Sequence, residues 1–153
     1  LPVRNGSGIA VVTDGALDRL GGYAEVDPSD VEDIKRSIDE FGCVLLGGEL
    51  PESAEQQFDA GKPWALLADP DAPVGGHAFL AVKYDAGGMW VVTWGRLQYA
   101  TWAWWKRYGS EAYALLKREW IGPIGVAPSG LTLEQLDGMI ERMRGVLSPG
   151  AYA

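Results

Sequence analysis

Apolar and polar residues follow two different rhythms along this chain, and the switches between them predict its elements. Val31, Ile34, Ile38 and Phe41 recur at steps of three and four with acids and bases between them, the period of a helix with one buried face. Asp27-Pro28 predicts its start, an acid that accepts from free N–H groups before a proline that has none to satisfy, and Gly42 predicts its stop. Cys43 to Leu46 is a short unbroken apolar run, as in a strand covered on both faces. Ala78, Leu80 and Val82 alternate with Phe79, Ala81 and Lys83; Asp85-Ala86-Gly87-Gly88 then offers turn chemistry before a second run, Met89 to Thr93. The pair reads as a hairpin of largely buried strands. Thr101 caps a helix over 102–108 whose Trp102, Trp105 and Tyr108 share a face as packing anchors, and Ala112 to Leu116 returns as a strand.

The flanks are less regular. Asn5 to Gly8 is a turn signal, Ile9 to Thr13 is strand-like, Ala16 to Leu20 suits one helical turn stopped by Gly21-Gly22, and Tyr23 to Val26 reads as extended. Residues 51–74 form a long proline-punctuated connection anchored by Phe58 and Trp64. After a Pro/Gly linker over 122–130, Thr132 to Gln135 is a capping-box start for a helix striped by Leu133, Leu136, Ile140, Met143 and Leu147. The chain thus divides into a domain over 1–121, the linker, and an amphipathic helix over 131–148. That stripe is expected to dock on the domain, on a protein partner, or on a second copy.

Composition narrows the partners. With 153 residues, 47% hydrophobic and 22% charged, the chain suits one folded domain with a real core. A net charge of -8 argues against nucleic acid or an anionic membrane as the main partner, since both would repel it. No apolar run approaches the roughly 20 residues a bilayer needs, and Leu1 to Arg4 has neither the basic start nor the apolar core of a signal peptide. One cysteine and one histidine exclude internal disulfides and a Cys/His zinc site, and no phosphate-binding glycine fingerprint is present. No cofactor or metal is therefore expected.

The candidate chemistry converges on His77, the only side chain with an ordinary pKa near neutrality. It stands at the mouth of one hairpin strand while the other ends in Thr93-Trp94-Gly95, so pairing brings His77 close to Thr93 and Trp94. Cys43 is the only thiol, and a Cys43–His77 pair would unite nucleophile and base. An apolar strand raises a thiol pKa, however, so Cys43 reads first as a small buried residue.

Gly75-Gly76-His77-Ala78, a strand ending in Tyr84-Asp85, a turn and a strand closing on Trp94-Gly95 resemble the histidine half of papain-like cysteine peptidases. The order of the rest is similar to a bacterial and phage branch of that superfamily: the helix of Asp30 to Phe41, the Leu50-Pro51-Glu52-Ser53 loop, the histidine strand, and the aromatic helix of Thr101 to Tyr108. The likeness spans Tyr23 to Ile121. It implies an α+β fold, a curved antiparallel sheet or partial barrel with packed helices, like the right-hand half of such enzymes. It also implies that His77 activates a cysteine, that a residue on the next strand orients the ring, and that Trp94 shields that contact. Aligning on Trp94-Gly95 puts Val92 at the orienting position, and a one-residue slip puts Thr93 there. Only Thr93 can hydrogen-bond an imidazole. Asp85 lies at the far end of the histidine strand, away from this group.

Nothing before His77 resembles the family's nucleophile helix. The expectation is a papain-like peptidase or amide hydrolase whose nucleophile comes from an N-terminal half or another chain, inactive by itself. The alternative is a non-catalytic binding or assembly module such as a phage virion component. The compartment that goes with either is the bacterial cytoplasm or a virion.

Overall fold

Six strands form one antiparallel sheet in the order β1-β6-β2-β3-β4-β5: β1 is Leu20–Glu25, β2 Val44–Pro51, β3 Pro73–Tyr84, β4 Gly88–Thr93, β5 Arg96–Thr101 and β6 Gly109–Lys117. The computed structural model describes residues 20–117 and 121–147; the turn expected at 5–8, the strand at 9–13 and the helical turn at 16–19 lie outside them. Leu20, expected to close that helical turn, opens β1 instead. Register carries one buried row across the whole sheet, Ala24–Ala114–Val44–Ala81–Val91–Gln98, and helices cover this face. Register shifts interrupt four of the five strand pairs, and such bulges add the twist that curves a sheet. The fold is the expected α+β, with a curved sheet that stays open because β1 and β5 do not pair.

Among the described residues no helix covers the opposite face. Its matching row, Glu25–Tyr113–Leu45–Leu80–Val92–Leu97, is half-buried or exposed, with Val92 43% and Leu97 59% accessible. The strands expected to be buried on both faces are therefore buried on one. Their outward residues are apolar as well, which is what hid the alternation.

Helix α1, Val31–Phe41, buries Ile34, Ile38 and Phe41 against the sheet, and Gly42 stops it at φ 80°. Its cap is Asp30, not Asp27: the Asp30 carboxylate accepts from the N–H groups of Glu32 and Asp33. Asp27 closes a tight turn of its own, accepting from the N–H and hydroxyl of Ser29, while the Pro28 carbonyl accepts from Trp105 Nε1–H at 2.8 Å.

The long connection over 51–74 contains a helix that its sequence did not announce, α2, Glu52–Asp59. Pro51 precedes it and offers no side-chain cap. Asp71 supplies one from eighteen residues away, accepting from Ser53 N–H at 2.9 Å and Ser53 Oγ–H at 2.7 Å, where a carboxylate also complements the helix dipole. Tyr108 Oη–H donates to the Asp71 carbonyl at 2.9 Å. Phe58 and Trp64 are buried, as their anchoring role requires.

Thr101 ends β5 and caps α3, Trp102–Tyr108, by accepting from Trp104 N–H; all three tryptophans and Tyr108 of α3 are buried. Past a Gly122 to Gly130 segment folded into turns, Thr132 and Gln135 close the expected capping box from both sides and start α4, Leu133–Leu147. Its Leu136 and Ile140 belong to the same core as the sheet, Ile140 lies over Gly22, and Arg144 Nε–H donates to the Tyr23 carbonyl at 2.8 Å. Of the docking places expected for that stripe, Leu136 and Ile140 take the domain itself, covering Ala24 of β1 and Leu116 of β6. Among the described residues no helix is long and apolar enough to cross a membrane.

Candidate functional site around His77

His77 lies on β3 opposite Gly48 of β2 and shares the helix-covered face with Phe79 and Ala81. On the other side β4 reaches only as far as Leu80, paired with Val92. Among the described residues, the edge of β3 from Val74 to His77 therefore has no ladder partner on the side away from β2. Thr93 ends β4 facing inward, 5% exposed, and its Oγ1 is 2.7 Å from His77 Nε2. Val92, the other candidate orienter, points to the open face. Among the described residues the second ring nitrogen, Nδ1, has no hydrogen-bond partner.

The turn after Thr93 explains the third residue. Thr93 pairs with Arg96, so only Trp94 and Gly95 join the strands, with φ of 43° and 78°. Both central residues being left-handed is the geometry whose twist suits a two-residue hairpin, and it aims the Trp94 side chain back over the sheet. The indole stacks on the imidazole, centroids 4.6 Å apart and planes 22° from parallel. Phe58 meets the same indole edge-on at 4.8 Å and Trp64 at 5.9 Å. Partial burial beneath these rings pushes the His77 pKa below 6.5, so the neutral ring is favoured. The pattern thus brings His77, Thr93 and Trp94 together.

Cys43 is not brought to them. It precedes β2 five residues before Gly48, His77's partner, which at the rise of a strand is about 16 Å away. Burial raises its thiol pKa, only partly offset by the charge of Lys117. The self-contained Cys43–His77 dyad does not form. Asp85 lies at the other end of β3, where it accepts from Tyr99 Oη–H and from two glycine N–H groups of the turn.

Two contributors escaped sequence reasoning. Arg96 donates to the Phe58 carbonyl and lays its guanidinium 3.6 Å from the Phe58 ring centroid. Phe58 was expected to pack, but not against the ring that covers His77. The only available signal was the position of Arg96 directly after a Trp-Gly turn. No group of three or more metal-ligating side chains occurs among the described residues.

No family model, curated protein or solved structure matches this chain.

Proposed function

We propose that this chain is the histidine-bearing half of a papain-like thiol hydrolase acting on peptide or related amide bonds, with the nucleophilic cysteine supplied by another segment or chain. The observation that carries this reading is the arrangement of His77. Nε2 is held by Thr93, one ring face is covered by Trp94, and Nδ1 has no partner among the described residues. With Nε2–H donating to Thr93 Oγ1, the lone pair resides on Nδ1, as a general base requires. A thiol within reach would pass its proton to Nδ1 while sulfur attacks the carbonyl carbon; the imidazolium then returns the proton to the leaving amine, and water cleaves the thioester. A ring that favours its neutral form suits the first of these steps. The unpaired edge of β3 from Val74 to His77 supports an extended substrate, because its backbone groups can pair with a peptide beside the ring.

The test uses the whole natural gene product that contains this sequence. A thiol-directed electrophile should label a cysteine other than Cys43, and hydrolysis of a fluorogenic peptide amide should be lost in His77→Ala with the fold retained. Turnover indifferent to His77→Ala, or no reactive cysteine besides Cys43, would refute the reading. A second reading is favoured by the distance of Cys43 from the ring: a non-catalytic papain-like module for binding or assembly, for example in a phage virion. It requires that no cysteine in the assembled complex react and that no substrate turn over.

A further inference from the structure

The Trp94 backbone poses a question that the hydrolase reading leaves open. A bulky residue at φ 43° is strained, and two-residue turns of this kind ordinarily carry asparagine or glycine there. At 43% exposed, the indole is not held by burial alone. Its contacts form a closed circuit. Trp94 stacks on His77, and His77 bonds to Thr93, which is paired across the turn with Arg96. Arg96 clamps Phe58 through both its ring and its carbonyl, and the Phe58 edge returns to Trp94. Phe58 comes from α2, whose first turn is capped by Asp71, so the circuit is tied to an element that contributes nothing else to the site.

We infer that Phe58 and Arg96 are positioning residues for His77: by holding the Trp94 plane they keep the imidazole from rotating, with Nε2 at Thr93 and Nδ1 turned away from it. Any catalytic consequence rests on the hydrolase reading; the orientation itself does not. A ring turned over about its bond to Cβ would put carbon where each nitrogen stood, Cε1 at Thr93 in place of Nε2, and so break the bond that fixes the tautomer; one hydrogen bond to a rotatable hydroxyl offers only modest resistance to that turn. A flat indole at stacking distance does oppose it, because the tumbling ring would sweep through the indole face.

One histidine in the chain makes the test unambiguous. Histidine-labelled protein gives one pair of ring ¹⁵N signals, whose shifts separate the protonated from the bare nitrogen, and one titration curve. In Phe58→Leu and in Arg96→Ala the two ¹⁵N shifts should draw together, because a ring that leaves Thr93 is no longer held in one tautomer. The titration midpoint should also rise toward 6.5 as water reaches the ring. Arg96 is exposed, so its replacement leaves the core closed, and Arg96→Lys, which keeps a cation over Phe58, should restore much of the separation. Ile38→Val, which loosens the core under α1, should leave both signals in place. Unchanged shifts and midpoint in folded Phe58→Leu and Arg96→Ala would overturn the assignment. If the ring responds as described while the whole gene product never hydrolyses an amide, the hydrolase reading fails and the positioning role stands.

Discussion

His77 Nε2 and Thr93 Oγ1 meet at 2.7 Å across adjacent strands, and Val92, one residue earlier on the same strand, faces away. Thr93→Val keeps the shape and removes the hydroxyl. Leaving that nitrogen unpaired should cost about 1 kcal/mol in urea denaturation. It should also reduce any hydrolysis by the whole gene product by at least about tenfold, since positioned proton transfer contributes more than that. Thr93→Asn, whose amide oxygen can accept from Nε2–H, should recover more activity than Thr93→Val.

Stability should depend on pH in two windows. Folding lowers the proton affinity of His77, so between the folded and unfolded titrations the unfolded chain binds more protons. This contribution is whole above about 6.5 and declines as pH falls through the lower folded value. A second decline follows below about 3.8. There the carboxylates of Asp27, Asp85 and Asp71 are held low: by the Ser29 hydroxyl, by the Tyr99 hydroxyl, and, for Asp71, against a desolvation that raises it, by the combined hydrogen bonds of Ser53, its own backbone and Tyr108. Urea midpoints measured from about pH 8 to 3 should show both steps. His77→Gln should remove the upper one and leave the lower.

Asp71→Ala should destabilise the protein by about 1 kcal/mol, the usual value of a lost helix cap, and free the start of α2. Because Phe58 sits on that helix, the change should also reach His77. Hydrogen exchange at Ser53 and Ala54 should quicken, and the His77 titration should move upward. Asp71→Asn, which keeps an acceptor, should be milder on both counts.

Two glycines separate packing from backbone freedom. A β-carbon on Gly109 would lie 2.6 Å from the Trp105 ring, which is itself tied to Pro28. Gly109→Ala should therefore cost about 1–3 kcal/mol by overpacking. Gly75, on the unpaired edge of β3, has nothing within 4 Å of that position. Gly75→Ala should change stability by less than about 0.5 kcal/mol. Thermal melts of the two variants give the comparison directly.

What the sequence disclosed follows from how locally each feature is encoded. The period of Val31, Ile34, Ile38 and Phe41 and the reciprocal bonds of Thr132 and Gln135 are complete within a few residues, and those helices stand as expected. The start of α1 shifted because Asp27 and Asp30 can each cap, and Asp27 is already engaged by Ser29. α2 was hidden because its cap, Asp71, is remote in sequence. β5 was hidden because its outward Leu97 and Tyr99 blur the alternation with Gln98, whose buried amide donates to the Lys62 carbonyl. In β3 simple alternation fails at Val82, where a bulge lets Phe79 and Tyr84 both turn toward the helices. The meeting of His77, Thr93 and Trp94 was legible from a hairpin and its end. The part played by Arg96 was not, since it depends on a side chain folding back onto a helix thirty-eight residues earlier.

The placement of α4 has a consequence for how the molecule comes apart. Its Ile140 and Arg144 rest on Gly22 and Tyr23, so the last described helix roofs the first described strand. These two elements should open together: amides of β1 should exchange at the same rate as those of α4, ahead of the β2–β3 centre. A chain shortened to Ile121 would then be more than a trimmed one. It would bare an unroofed sheet margin able to recruit neighbouring molecules, and clumping would be its first symptom.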